Sequence, residues 1–248
     1  MPKTDFTDRA FRETSDPTRF ERPPVGIDVA ALTAGGGGLH ALLVRRDEEP
    51  QRGRWTLPGG FLAPDESLDA AAARVLRAKA ALRRVFLEQL YTFGAPERDP
   101  RGRAIAVAYY ALVAPERLRR AAAERDGEAL ARLEVAWEGE AGGPVGARSP
   151  DGTTLALAFD HSEILGMAVK RIRGKLDYAP IGFQLLPARF TLRDLQDVHE
   201  AVLGRQLNKD SFRRRMLASG QLEATGDRER SVGHRPAELY RFTRRSAI

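Results

Sequence analysis

Val25 to Leu32 and Leu39 to Val44 are two apolar runs on either side of Gly35-Gly36-Gly37-Gly38. Aliphatic and β-branched residues dominate both, so the expected structure is strand, glycine turn, strand. After the charged, proline-containing stretch Arg45 to Arg54 and the segment Trp55 to Phe61, residues Ser67 to Ala81 contain neither Gly nor Pro and are rich in alanine, which predicts a helix. Val85 to Phe93 and Ala104 to Val113 read as strands joined by a charged turn, Pro96 to Gly102. An exposed helix is expected over Pro115 to Leu133, a Gly- and Pro-rich loop over Glu138 to Gly152, and a short strand over Leu155 to Ala158. Asp160 is placed to cap a helix from Ser162 to Leu176.

The pattern changes at Phe190. Leu192, Leu195, Val198, Val202 and Leu203 share one helical face, with Thr191 as cap and Gly204 as stop. A second short helix, Lys209 to Ser219, begins after Asn208, is stopped by Gly220, and turns Phe212, Met216 and Leu217 inward. Only Gly204 to Asn208 separate the two, the short connection of a helix-turn-helix. Leu222 to Thr225 and Glu238 to Phe242 alternate around the Gly- and Arg-rich stretch Gly226 to Pro236, as a hairpin does. Helix, turn, helix and a hairpin with a basic tip make a winged helix.

Composition narrows this picture. The chain has 248 residues, no cysteine, 40 Lys plus Arg and 34 Asp plus Glu, for a formal charge of +6. The missing cysteine excludes disulfides, thiolate zinc sites and a cysteine nucleophile. No apolar run approaches the ~20 residues that cross a bilayer, and the first residues (MPKTDFTDRAFRETSDPTRF) lack the hydrophobic core of a signal peptide. A cytoplasmic protein without membrane partners is expected. The four histidines are scattered and predict no metal cluster. From Arg171 onward there are 16 Lys plus Arg against 9 Asp plus Glu, a balance of +7; the preceding residues carry 24 against 25, a balance of −1. Such asymmetry fits a neutral domain joined to one that meets a polyanion, and equally a solvated basic surface.

Gly60, Glu66, Arg74, Leu76 and Leu82, preceded by Trp55-Thr56-Leu57-Pro58-Gly59-Gly60, resemble the Nudix box over its full spacing. In that family, helix glutamates hold divalent cations against a diphosphate, a task suited to hard carboxylate oxygens. Here the three glutamates after Arg74 are Val75, Ala78 and Lys79, and the family glycine is Ala81. Asp65, Glu66 and Asp69 remain nearby, where first-turn acids also serve the helix dipole. No catalytic residue, metal or cofactor is therefore expected, only a retained ligand cleft.

Gly59 and Gly60, with Pro58, would let backbone approach a phosphate, Arg45, Arg46 and Arg54 could pair with diphosphate oxygens, and Trp55 and Phe93 could stack on a base. Both aromatics fit a core role as well. Tyr109 and Tyr110 alternate on a strand, so at most one faces any pocket. In the second domain, Lys209, Ser211, Arg213, Arg214 and Arg215 lie outward on the reading helix, near the end that enters a major groove, with Asn208 and Thr191 at the helix starts. Arg228, Arg230 and Arg235 would form the wing, and Gly233-His234-Arg235-Pro236 resembles elements that lay an arginine in a minor groove.

Together, the eroded box and the motifs Phe190-Thr191-Leu192-Arg193-Asp194-Leu195-Gln196 and Leu239-Tyr240-Arg241-Phe242 resemble the Nudix-related transcriptional regulators of bacterial NAD metabolism, the NrtR family. The resemblance implies an α+β chain with a Nudix-like α/β/α sandwich over 22–173 and a winged helix-turn-helix over 190–245; the polar stretch 1–21, which shows no sustained period, reads as a flexible arm and the Pro-containing stretch 174–189 as a linker. It also implies a homodimeric repressor of NAD-synthesis or salvage genes that binds a palindromic operator in double-stranded DNA and is released by ADP-ribose or a related nucleotide. The alternative is an active ADP-ribose hydrolase, using Asp65, Glu66 and Asp69, with an accessory nucleic-acid-binding domain.

Overall fold

The computed structural model describes residues 22–176, 180–229 and 236–243. The opening hairpin pairs β1 (Val25–Gly35) with β2 (Gly38–Arg45) in the register Gly35↔Gly38. Gly36 and Gly37 both take positive φ, 56° and 73°, the two-residue turn whose twist matches the strands. β3 (Trp55–Thr56) then adds to β2, and β4 (Gly59–Phe61) to β1. They lead into α1 (Leu68–Ala80), whose N-cap Ser67 accepts from the Ala70 N–H.

β5 (Phe86–Phe93), β6 (Ile105–Leu112), β7 (Glu128–Glu134) and β8 (Gly146–Arg148) complete a sheet of order β5-β6-β1-β2-β7-β8. The β1–β6 pair is parallel and the other pairings are antiparallel. Both faces are covered, and strict alternation assigns the side chains. Ile27, Val29 and Ala31 of β1, with Val107, Tyr109 and Ala111 of β6, pack under α1 and α2 (Pro115–Ala123). Ala30, Leu32, Tyr110 and Leu112 face the other way, toward α3 (His161–Lys175). Tyr109 and Tyr110 thus occupy opposite cores.

Four local expectations are corrected. The helix expected over Pro115 to Leu133 ends at Ala123; Gly127 turns the chain at φ 80°, and residues 128–134 form β7 against β2. Their composition favours helix, but Ala131 and Leu133 are buried while Arg132 and Glu134 are exposed, the period of a half-buried strand. Leu155 to Ala158 is not a strand, since its contribution is the isolated bridge Trp55↔Leu157. β8 lies inside the expected loop. Asp160 does precede α3, but its carboxylate makes no capping bond and instead receives Arg98.

Beyond α3, a 3₁₀ turn (Pro180–Leu185) leads into α4 (Leu192–Leu203), which opens on a capping box between Thr191 and Asp194 and closes on Gly204 at φ 70°. α5 (Lys209–Ala218) starts at Asn208, whose side chain accepts from the Ser211 N–H. β9 (Leu222–Arg228) and β10 (Glu238–Phe242) form the hairpin, tied to Phe190 by a bridge to Tyr240. Leu217, expected inward, is 44% exposed. Within 174–189, Leu185 and Leu186 are buried in the same apolar cluster as Leu32, Ile172, Leu195 and Val202. Sandwich and winged helix therefore share one continuous core. Among the described residues, no helix is long and apolar enough to cross a membrane.

Candidate functional site

A cleft of about 360 Å³ opens between the end of β2, the β3–β4 segment, the turn before β6 and the start of α3. Its floor is a charged cluster. Arg98, with 8% of its side chain exposed, binds Asp160 through two hydrogen bonds of 2.9 and 2.8 Å and lies 3.5 Å from Asp28. Burial opposes the guanidinium charge, but the Asp160 bonds and both acids outweigh it and raise its pKa. His161, 4% exposed, accepts the Leu57 N–H at Nδ1 (2.9 Å), so its proton sits on Nε2, 3.7 Å from Asp28. Burial lowers the pKa of this imidazole despite the neighbouring acids, and the ring is neutral.

Gly59 pairs with Asp28 across β1 and β4, and a Cβ there would stand 2.5 Å from Asp28 Oδ1 and 3.2 Å from the Ile27 carbonyl. Only glycine fits. Arg46 is held in the wall by the carbonyls of Pro50 and Glu48 and stands over the Phe159 ring, while Arg45 donates to Gly53. Arg101 is bound by Asp99 and lies over Phe61.

The box helix borders this cleft but offers no metal site. Val75 is buried in the core and Ala78 carries no donor atom. Lys79 projects onto the cleft wall. Glu66 is committed to Arg74 and to the Ala63 N–H, an arrangement that holds its pKa down to about 2. Asp69 accepts the Tyr109 hydroxyl at 2.6 Å. Among the described residues, no three His, Asp or Glu side chains are grouped to hold a metal ion. The donor set does not fit a hard divalent cation.

Of the residues singled out for the effector, Arg45, Arg46, Pro58, Gly59 and Gly60 line the cleft. Trp55 and Phe93 pack against the core on the α3 side, and Arg54 donates to the Leu157 carbonyl. The aromatic walls are instead Phe61 and Phe159. Asp28, Lys79, Arg98, Asp99, Arg101 and His161 were missed. The run Glu97-Arg98-Asp99-Pro100-Arg101-Gly102-Arg103 and the lone acid in the apolar strand Val25 to Leu32 are the signals that could have found them.

On the winged helix, Asn208, Lys209, Ser211, Arg213, Arg214 and Arg215 are exposed. At ~100° per residue Arg214 points opposite the buried Phe212, with Arg213 and Arg215 to either side. Arg215 stands 5.8 Å over the Phe212 ring. Thr191 is buried and its hydroxyl is committed to Asp194. Arg228 ends β9, exposed; Arg230, His234 and Arg235 lie outside the described residues.

Comparison with known proteins agrees with both halves. The NUDIX domain pattern matches residues 22–139, and that of the NrtR DNA-binding winged helix domain matches residues 182–242. The ADPR responsive transcriptional repressor NtrR of Acinetobacter baylyi is 35% identical over 238 residues, 95% of this chain and 88% of that protein. This chain belongs to the NrtR family. The structure of Shewanella oneidensis NrtR complexed with a 27mer DNA aligns with a TM-score of 0.73 at 32% identity, over 88% of this chain and 93% of that one. A MutT/nudix family protein from Enterococcus faecalis aligns with a TM-score of 0.74 at 26% identity, over 94% and 91%.

In this NrtR-family chain one side chain locks the two halves together. Arg173, near the end of α3 and 7% exposed, donates to the carbonyls of Val202 (2.8 Å), Trp137 (3.1 Å) and Gly139 (3.0 Å), and stacks 4.7 Å over the Trp137 ring. Gly204, the stop of α4, leaves room for it: a Cβ there would stand 3.1 Å from Arg173 Nη2.

Proposed function

We propose that this protein is a transcriptional repressor that binds a two-fold symmetric operator as a homodimer and is released when ADP-ribose or a related nucleotide enters the cleft. The carrying observation is α3. Its first residue, His161, is part of the cleft floor, and Arg173, ~18 Å along the axis, grips the carbonyl end of α4 in the winged helix. A ligand that displaces the floor acts on the reading head through one rigid element. It releases DNA only by favouring the non-binding arrangement, since equal affinity for both would shift nothing. Arg45 and Arg46 would take the diphosphate, Gly59 and Gly60 its close approach, and Phe61 or Phe159 the base. Lys209, Ser211, Arg213 and Arg214 would meet DNA, with Arg228 on the wing side. Control of NAD-synthesis or salvage genes is the regulon we assign.

The cleft is read as non-catalytic. Supporting this, Val75, Ala78 and Lys79 replace the metal-binding acids, and Glu66 and Asp69, from the rival hydrolase set, are bound to Arg74 and Tyr109. Fluorescence anisotropy on operator DNA across a salt series tests the whole proposal. ADP-ribose should weaken binding, and Arg213→Ala or Arg214→Ala should each reduce the salt slope by about one. Affinity indifferent to ADP-ribose would sink the effector assignment, and unchanged slopes would remove those arginines from the phosphate contacts. Turnover of ADP-ribose with Mg²⁺ or Mn²⁺ would instead support the hydrolase.

A further inference from the structure

The residue that spoils the metal site is itself a candidate ligand. Lys79 stands at a box position where the Nudix pattern has a glutamate, in the last turn of α1, exposed, and on the wall of the cleft that Gly59, Gly60 and Phe61 also line. Behind it lies Glu128, with only 4% of its side chain exposed and Oε2 buried without a hydrogen-bond partner among the described residues. Burial raises the Glu128 pKa, while the charges of Arg125 and Lys79 pull it back. Lys79 thus reaches the cleft wall on a long flexible stem, with Glu128 near enough to feel its charge but not bound to it.

Among the described residues, Arg45, Arg46 and Lys79 on the cleft wall have no carboxylate within ion-pair distance. The guanidiniums of Arg45 and Arg46 are held by backbone carbonyls, which orient them without neutralising them. The inner acids are engaged: Asp28 and Asp160 share Arg98, leaving that cluster one negative charge deep in the floor, and Asp99 is matched by Arg101. Asp47 and Glu48 sit exposed at the mouth, where water screens them. A dianionic diphosphate entering here meets an ammonium and two guanidiniums where a catalytic Nudix cleft would offer carboxylate-bound cations.

We propose that Lys79 takes the place of the divalent cation as the counter-charge for the effector's diphosphate, so that this sensor binds its nucleotide without metal. The idea rests on the effector reading above and adds a residue and an ion requirement to it. An ammonium supplies its charge without the octahedral oxygen cage that Mg²⁺ demands, which suits a site whose purpose is occupancy and not turnover.

Calorimetric titration of ADP-ribose into the full-length protein, in EDTA and in millimolar Mg²⁺, tests this. The wild-type affinity should agree within about twofold between the two buffers. Lys79→Ala should weaken binding by about tenfold or more in both, as expected for a lost hydrogen bond between charged groups. Lys79→Arg should recover most of the loss, and Lys79→Glu should lose the most in EDTA. Thermal melts of each variant show that the fold persists, which the exposure of Lys79 leads us to expect. A wild-type affinity that collapses in EDTA, or a Lys79→Ala protein that binds like wild type, overturns the proposal. If wild type binds no ADP-ribose at all, the effector reading fails separately. Inorganic pyrophosphate titrated in EDTA then decides Lys79 alone: weaker binding to Lys79→Ala upholds it, and equal or absent binding overturns it.

Discussion

Arg173→Met should loosen the joint between the sandwich and the winged helix. Methionine keeps the apolar stem and removes the guanidinium with its three hydrogen bonds and its stacking on Trp137. Hydrogen bonds from a charged donor contribute roughly 1.5–3 kcal/mol each, and the stacked cation adds about 0.5–2 kcal/mol. Against this, the guanidinium is buried with no counter-acid among the described residues, and burial lowers its pKa; removing it returns several kcal/mol of desolvation. Of the three carbonyls left behind, that of Val202 lies in the most buried bond, while those of Trp137 and Gly139 are half-buried and regain water. The balance is a destabilisation of about 2–4 kcal/mol, which for a chain of this size lowers the melting temperature by roughly 5–15 °C. Scanning calorimetry measures that shift, and operator binding with and without ADP-ribose measures coupling. A variant that melts within about 2 °C of wild type and still releases DNA on ADP-ribose would refute the view of Arg173 as the strut between sensor and reader.

Two further outcomes follow from the same coordinates. Ala81 caps α1 at φ 50°, the left-handed region, where the Nudix pattern has glycine; Ala81→Gly should raise stability in urea unfolding by about 0.5–1 kcal/mol, and a loss would show that the cap is not strained. His161 has a lowered pKa, so the unfolded chain binds its proton first: stability is intact above about pH 6.5 and falls as pH drops toward the lower folded value, at about 1.4 kcal/mol per unit. In His161→Asn, whose amide oxygen can still accept from Leu57, the fall in urea midpoint over that window should be smaller than in wild type, the remainder coming from His40, whose pKa burial also lowers. The Glu66 contribution does not overlap it, because a carboxylate held near 2 loses its stabilisation only below about pH 4.5. A wild-type midpoint unchanged between pH 7 and pH 5.5 would remove His161 as a source of acid sensitivity.

What was legible in the sequence was whatever local physics decides. Gly35 to Gly38 had to turn, the alanine-rich box had to be helical, and Thr191 stood where a cap was needed, though the reciprocal bond from Asp194 emerged only in the structure. β7 was illegible because Glu-Ala-Leu-Ala-Arg-Leu-Glu satisfies a helix as well as a strand, and only the open edge of β2 decides between them. The cleft floor was illegible for another reason. Asp28, Arg98 and His161 come from three distant segments, and nothing local distinguishes Arg98, which is buried in a salt-bridge cluster, from Arg103, which merely reaches the Gly94 carbonyl.

The basic tail changes meaning once its arginines are placed. Arg171 and Lys175 meet Glu88 on β5, Arg189 meets Asp227, Arg193 meets Asp197, and Arg241 meets Glu223. Arg173 is buried in the joint. These six belong to the frame and not to a polyanion-binding surface, and several are matched by acids within the same tail. What stays exposed on the reading helix is Lys209, Arg213 and Arg214, on a ten-residue helix whose acids are reduced to Asp210, while Arg215 lies over the Phe212 ring. DNA contact therefore depends on where Lys209, Arg213 and Arg214 stand, exposed on the second helix of a winged helix, and would be expected even if the net charge of the tail were zero. In the sandwich, likewise, a near-neutral total conceals a cleft whose wall carries Arg45, Arg46 and Lys79, none of which has a carboxylate within ion-pair distance among the described residues. Charge totals describe neither site, because in both the function lies in which charges the fold leaves uncancelled.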